Sequence, residues 1–391
     1  MQAPVAATNA SDRVPLADVR DLLKVGEPLP FRVLDALERL LLNAGQVLAD
    51  EAQFAGLIER GAWAERHLVE AERTARAAAG GAGRAPQSLS LFDRWERTLW
   101  QFDKLSRALV RHQAKGAEVS ALFATLCELV DVDADVALFL CVRQDDRRFA
   151  LYPLTHALHC AVLALLTGRY LGWPQARVAA LGCSALTMNL AILELQATMA
   201  EQVDPPTPRQ LKDIRAHPQA SVKLLQDAGV ADETWLAAIA EHHEQAGGGG
   251  YPHNLTEVSE SAQVLRAADV LMAKISPRAQ RPAMAPQAAV RQLFQQRPGD
   301  PLAMALIRTL GVYPPGSLLK LRSGEVAVAI RRPATGTHPL VATLSDTNGR
   351  PSAQTHRRDS AQPEFNVQGP LVDASGFARV LPERVYGIVG A

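Results

Sequence analysis

The sequence predicts a mainly α protein, with a helical bundle in the middle of the chain, a small mixed α+β module ahead of it and a small β-rich appendage behind. Three observations carry that expectation. Apolar residues recur at spacings of three and four from residue 90 to about 310, the signature of helices with one buried face. Short apolar runs bounded by turn formers occupy the first part of the chain and return beyond residue 315. Between the first module and the helices, residues 77–89 are rich in glycine and alanine and have no apolar period. The boundaries expected are therefore a module at 1–76, a linker at 77–89, connecting helices at 90–145, the main helical domain at 146–315 and the appendage at 316–391.

In the first module, Phe31 to Leu34 and Leu40 to Leu42 read as short strands. Asp50 is placed to cap a helix running to about Arg60, with Gln53 three residues on and Gly61 as terminator. Ser90 and Asp93 form a second capping pair, behind which Phe92, Trp95, Leu99, Phe102, Leu105 and Leu109 make a continuous apolar stripe. Further helices are expected at 117–130 and 133–143. Asp131, Asp133 and Asp135 imitate the start of a calcium loop, but Val136 and Val142 replace its required glycine and glutamate, so the aspartates mark a helix N-terminus instead. Thr207, Pro208 and Gln210 open a helix that reaches His217-Pro218, and another helix from about Glu233 ends at His242-His243. Beyond 315, Leu318 to Leu321, Glu325 to Ile330 and Pro339 to Leu344 read as strands, with a turn at Asp346 to Gly349 and an irregular polar stretch at 350–365.

Composition narrows the function classes. The 41 basic and 41 acidic residues cancel, which leaves no global field for nucleic acid or anionic lipid. Cys127, Cys141, Cys160 and Cys183 are scattered singly through apolar sequence and are expected to be buried free thiols. No leader is evident at the N-terminus, and no apolar run is read as long enough for a membrane helix, so a cytoplasmic protein is expected.

The densest chemistry lies at His242-His243-Glu244, followed by Gly247 to Gly250 and Tyr251-Pro252. Paired histidines beside a carboxylate suit a divalent metal, and the glycines suit close backbone approach, read here as a flexible turn that sets Tyr251-Pro252 on the surface. The Gly-Lys-Ser/Thr of a phosphate loop is absent. His156 and His217 taken singly read as structural histidines more readily than as ligands, and His159, which shares a helical face with His156, reads as structural too. Asp269, in an apolar helix, needs a metal, an arginine or backbone donors as its partner.

These segments together resemble the HD-GYP domain, a subgroup of the HD metal-dependent phosphohydrolases whose active members hydrolyse the bacterial second messenger cyclic di-GMP. The resemblance covers roughly residues 130–330 and rests on Thr155-His156, the helix from Ala180 to Leu195, His217-Pro218, His242-His243-Glu244 with Gly250-Tyr251-Pro252, Ala268-Asp269-Val270, Arg278 and Arg281-Pro282. It implies an HD-type helical bundle in which His156, His217, His242, His243 and Asp269 hold metal, Arg278 and Arg281 grip phosphate, and Gly250, Tyr251 and Pro252 contribute to substrate selection and to contacts with GGDEF-domain proteins.

The resemblance also exposes departures. Where the family has its His-Asp pair followed by Gly-Lys, this chain has Met188, Asn189, Ala191 and Ile192. Tyr152 stands where the most complete members place a carboxylate, and Gly247 where an aspartate precedes the Gly-x-Gly-Tyr-Pro. Asn189 has no charge with which to bridge two cations, and Met188 is a soft ligand unsuited to iron or manganese. The expectation is a signalling protein with a degenerate site that binds cyclic di-GMP or protein partners with little or no hydrolysis. The alternative is a phosphodiesterase working through an altered His-rich site with one ion of iron, manganese or zinc. An adaptor that lacks metal entirely, of the related HDOD type, is the third reading, and the Gly-Tyr-Pro segment argues against it.

Overall fold

The computed structural model describes residues 12–78, 90–144, 149–333, 335–371, 375–377 and 380–387. Two compact units divide between Lys104 and Leu105, inside one helix.

The first unit is built on a four-stranded antiparallel sheet in the order β1-β4-β2-β3, from β1 (Arg13–Pro15), β2 (Val33–Leu34), β3 (Leu40–Leu42) and β4 (Trp63–Glu65). Leu34, Leu40 and Trp63 pack together on it. The strand expected from Phe31 begins only at Val33, although Phe31 is buried, because burial alone does not supply a ladder partner. Helix α1 (Glu51–Glu59) starts where Asp50 accepts the backbone N–H of Gln53, and the left-handed Gly61 lies just past its end. Helix α2 (Arg66–Ala78) runs to the edge of the described residues, so most of the expected linker, 79–89, lies outside them.

Helix α3 (Leu91–Val110) carries the chain from the first unit into the second. Ser90 Oγ accepts the Asp93 N–H and Asp93 accepts the Ser90 N–H, a reciprocal cap, and all six residues of the apolar stripe are buried.

The second unit is a helical bundle with a sheet appended. Helix α4 (Gly116–Val132) leads to α5 (Ala134–Val142), whose first N–H groups, on Asp135 and Val136, are taken by Asp133. The other faces of these aspartates serve the appendage: Arg331 makes paired contacts of 2.7 and 2.6 Å to Asp133, and Arg332 reaches Asp135 at 2.5 Å. Helices α6 (Tyr152–Tyr170) and α7 (Gln175–Thr187) form the centre, and α8 (Leu193–Glu201), α9 (Pro208–Asp227), α10 (Glu233–Glu241), α11 (Glu260–Ile275), α12 (Pro286–Gln296) and α13 (Pro301–Leu310) complete the bundle. The segments Phe149–Tyr170 and Gln175–Glu201 are, against the sequence expectation, long and apolar enough to cross a bilayer by length and composition. They are 78% and 72% buried inside the protein, as the central helices of a bundle must be. Cys141, Cys160 and Cys183 are buried, whereas Cys127 is half-buried.

The appendage is a five-stranded antiparallel sheet in the order β8-β7-β6-β5-β9: β5 (Leu318–Leu321), β6 (Val326–Arg331), β7 (Leu340–Thr343), β8 (Arg357–Asp359) and β9 (Val367–Pro370). Leu319, Leu321, Ala327, Ala329 and Val341 form its core. Strand β8 falls inside the stretch expected to be irregular. Its arginines show no apolar alternation because it is an edge strand, where charge is tolerated and blunts further pairing.

Candidate functional site

The site lies where α6, α9, α10 and α11 meet, and backbone geometry fixes its histidines. Pro218, inside α9, has no N–H to give the carbonyl of Ile214 four residues back. His217 Nδ1 takes that carbonyl at 2.6 Å. At the end of α10 the carbonyls run out of helical donors, and His242 Nδ1 takes the carbonyl of Ile239, also at 2.6 Å. A carbonyl only accepts, so both Nδ1 atoms carry the proton and both Nε2 atoms present a lone pair.

Those two Nε2 atoms face each other at 3.1 Å. The ring of His243 lies 4.1 Å from that of His242 and 5.0 Å from that of His217, and one ligand nitrogen from each of the three falls within a 4.8 Å cluster. Burial, followed by neighbouring imidazoles, pushes His217 and His242 down to about 4 and His243 to about 3, which keeps all three neutral at pH 7. Two converging lone pairs without a proton between them form a donor set for a cation. Three neutral imidazoles suit zinc or a neighbouring transition metal better than magnesium or calcium.

His156 and Asp269 form a separate group. His156 Nε2 donates to Asp269 Oδ1 at 2.8 Å, with Cys160 Sγ at 3.6 Å from the same nitrogen. On the other side of the ring, Tyr152, one turn earlier on α6, stacks on His156 at 5.2 Å and places its hydroxyl 3.4 Å from Nδ1. The guanidinium of Arg278 donates to that hydroxyl oxygen and lies 4.6 Å from the ring centre. The result is a chain of donors, Arg278 to Tyr152 to His156 to Asp269. Burial pushes the Asp269 carboxyl up, but the hydrogen bond from His156 outweighs it and holds the acid well below the usual range.

The five residues expected to share one metal pocket are thus distributed between two adjoining groups, and Asp269 has a histidine for its partner. Arg278 is engaged by Tyr152, and Arg281 donates to the carbonyl of Ala273. Met188 and Asn189 are both buried at the end of α7, Asn189 opening a short 3-10 turn, Leu190–Ile192.

Glu244 does not join the histidines as a ligand. It is fully buried, and its two oxygens accept the N–H groups of His253 (2.6 Å) and Leu255 (3.0 Å), clamping the loop behind Pro252. A Cβ on Gly250 would lie 2.4 Å from Glu244 Cα, so only glycine fits there. The loop is tied rather than loose: Gly247 N–H donates to Thr256 and Gly249 N–H to Asn254. Nor is Tyr251 set wholly on the surface; its ring stacks on His243 at 4.5 Å, while Pro252 is exposed.

Sequence reasoning did not select Cys160 or Arg266. The (i, i+4) spacing from His156 could have found the first, and the (i, i+3) spacing from Asp269 the second.

A helical bundle carrying ordered histidines and an aspartate on separate helices is the architecture of the HD phosphohydrolases, and residues 143–300 match the family model described as HD domain. The second unit therefore resembles an HD domain over that match. Over 185 residues the chain is 24% identical to the cyclic di-GMP phosphodiesterase PA4108 of Pseudomonas aeruginosa, a match covering 46% of this chain and 45% of that protein. The chain thus spans about half the length of this curated relative. Among solved structures, the HDG"Y"P protein Bd1817 from Bdellovibrio bacteriovorus aligns over 75% of this chain and 97% of its own, with a TM-score of 0.45 and 13% identity.

Proposed function

We propose that this protein is a cytoplasmic bacterial cyclic di-GMP signalling protein whose HD-GYP domain works by binding the nucleotide or a protein partner, with little or no hydrolysis. The observation that carries this reading is the donor chain from Arg278 through Tyr152 and His156 to Asp269, which satisfies within the protein the groups that would have to hold a second cation and a phosphate. Met188 and Asn189 support it, because neither can bridge two metal ions. Gly250, Tyr251 and Pro252 supply the rigid, partly exposed loop on which a GGDEF-domain or other signalling partner would dock.

A second reading, a phosphodiesterase with an altered site, is favoured by the 3.1 Å approach of the His217 and His242 lone pairs. His217, His242 and His243 would hold one divalent ion, iron, manganese or zinc, which when bound supplies a Lewis acid for a phosphoryl oxygen. Arg278 and Arg281 would have to leave their present partners to reach phosphate.

The test is metal analysis and cyclic di-GMP turnover of the full chain beside a Met188→His/Asn189→Asp variant. The binding reading expects nucleotide binding without turnover in the unaltered chain. Robust turnover, abolished by chelation and by His242→Ala, establishes the second reading instead.

A further inference from the structure

Helix α11 and the turn behind it carry three arginines beside the histidines, and they differ in what their guanidinium groups do. Arg278 is bonded to Tyr152 and stacked on its ring, and Arg281 is bonded to the carbonyl of Ala273. Arg266 is half-buried and, among the described residues, has no hydrogen-bond partner. It sits three residues before Asp269, on the same face of α11, the helix that packs against both α6 and α10. Its charge is felt by His242, His243 and Tyr251 as well as by Asp269.

Asp269 does not neutralise Arg266 by direct contact in the way it engages His156. Burial, and after it the like charge of Arg297, disfavour the cation and lower its pKa, while Arg297 has its own partner in Asp300 at 3.0 Å. A half-buried guanidinium with no protein partner among the described residues, beside neutral imidazole lone pairs and an aromatic ring, gains most from an anion that offers two oxygens in its plane. Phosphate presents such a set bidentately.

We propose that Arg266 is the phosphate-binding residue of this site, receiving a non-bridging edge of a nucleotide phosphodiester one helical turn before Asp269 on α11. The identification of the ligand as a nucleotide phosphodiester rests on the function proposed above. The anion-binding role of Arg266 rests on its unpartnered guanidinium and its place one turn before Asp269 on α11, independently of that function.

The experiment is calorimetric titration of the full chain with cyclic di-GMP, run for the unaltered protein, Arg266→Gln, Arg266→Lys and, as a control on the exposed side of β5, Lys320→Gln, with thermal melting of each in the absence and presence of pyrophosphate. Losing a charged hydrogen bond should weaken nucleotide binding in Arg266→Gln about 10-fold or more, with Arg266→Lys intermediate and Lys320→Gln within about 3-fold of the unaltered chain. The ligand-free melting temperature of Arg266→Gln should equal or exceed that of the unaltered protein, since an uncompensated cation is removed. Unchanged affinity in Arg266→Gln, or a fall in its ligand-free melting temperature with affinity intact, overturns the assignment. Should the unaltered chain not bind cyclic di-GMP, the functional reading fails separately. Pyrophosphate then decides for Arg266: protection of the unaltered chain that is lost in Arg266→Gln supports it, and equal or absent protection overturns it.

Discussion

His217 and His242 meet nitrogen to nitrogen at 3.1 Å, and neither nitrogen carries a proton. Such an approach is unfavourable in an empty pocket and becomes favourable once a cation or proton lies between the two lone pairs. Zinc, cobalt or manganese should therefore raise the melting temperature of the full chain, and His217→Ala and His242→Ala should each abolish that rise. Differential scanning fluorimetry with and without a chelator measures it.

Pro218→Ala provides a subtler perturbation. Alanine restores a backbone donor for the Ile214 carbonyl, in competition with His217 Nδ1. Loss of such an orienting partner should weaken metal binding by about 10-fold or more while helix α9 gains stability. Unchanged affinity in a metal titration would show that the proline does not orient the ring.

In the metal-free chain, acid should unfold the second unit in a defined window. Burial holds His217 and His242 at about 4 and His243 at about 3, below the ordinary value. Between about pH 6.5 and pH 4 the unfolded chain then binds protons that the folded chain refuses, so stability falls as pH is lowered through that interval. Urea denaturation at pH 7, 5.5 and 4.5 should show the decline, and a His217→Gln/His242→Gln variant should show less of it.

Glu244→Ala should free the Tyr-Pro loop. It leaves the N–H groups of His253 and Leu255 without their acceptors, each worth about 1–3 kcal/mol where buried. Amide exchange at these two positions should accelerate, and Glu244→Gln should show an intermediate effect. Gly250→Ala should loosen the same loop by collision with the Glu244 backbone.

Arg331→Ala should loosen the appendage, because Asp133 would keep its cap on α5 but lose a paired guanidinium. A charge-assisted pair of this geometry, discounted for an arginine that is 44% exposed, is worth about 1 kcal/mol. The change should appear as a lower urea midpoint that responds only weakly to salt.

Much of the fold was legible because its signals are local. Asp50, Ser90, Asp133 and Thr207 announce helices through caps that reach only two or three residues ahead, and all four caps are made. Strand β8 was hidden because its own residues, Arg357 to Asp359, have no buried face, so nothing in them marks their pairing with Leu340 to Ala342 of β7. The candidate site was legible as a set of residues but not as a partition. The order of His156, His217, His242, His243 and Asp269 along the chain does not reveal that Tyr152 and Arg278 complete one group while the other three imidazoles cluster apart. That division depends on which side chains reach one another across helices, and so does the commitment of Glu244 to the loop instead of to metal.

The two carbonyls that orient His217 and His242 have a further consequence. Many metal-binding histidines are oriented by carboxylates, which add negative charge close to the ion. Here Ile214 and Ile239 do the orienting with backbone dipoles alone. The three-histidine cluster consequently keeps a more positive potential than the same rings oriented by carboxylates would have. A dianion brought to these rings would meet less repulsion than it would beside carboxylate-supported imidazoles.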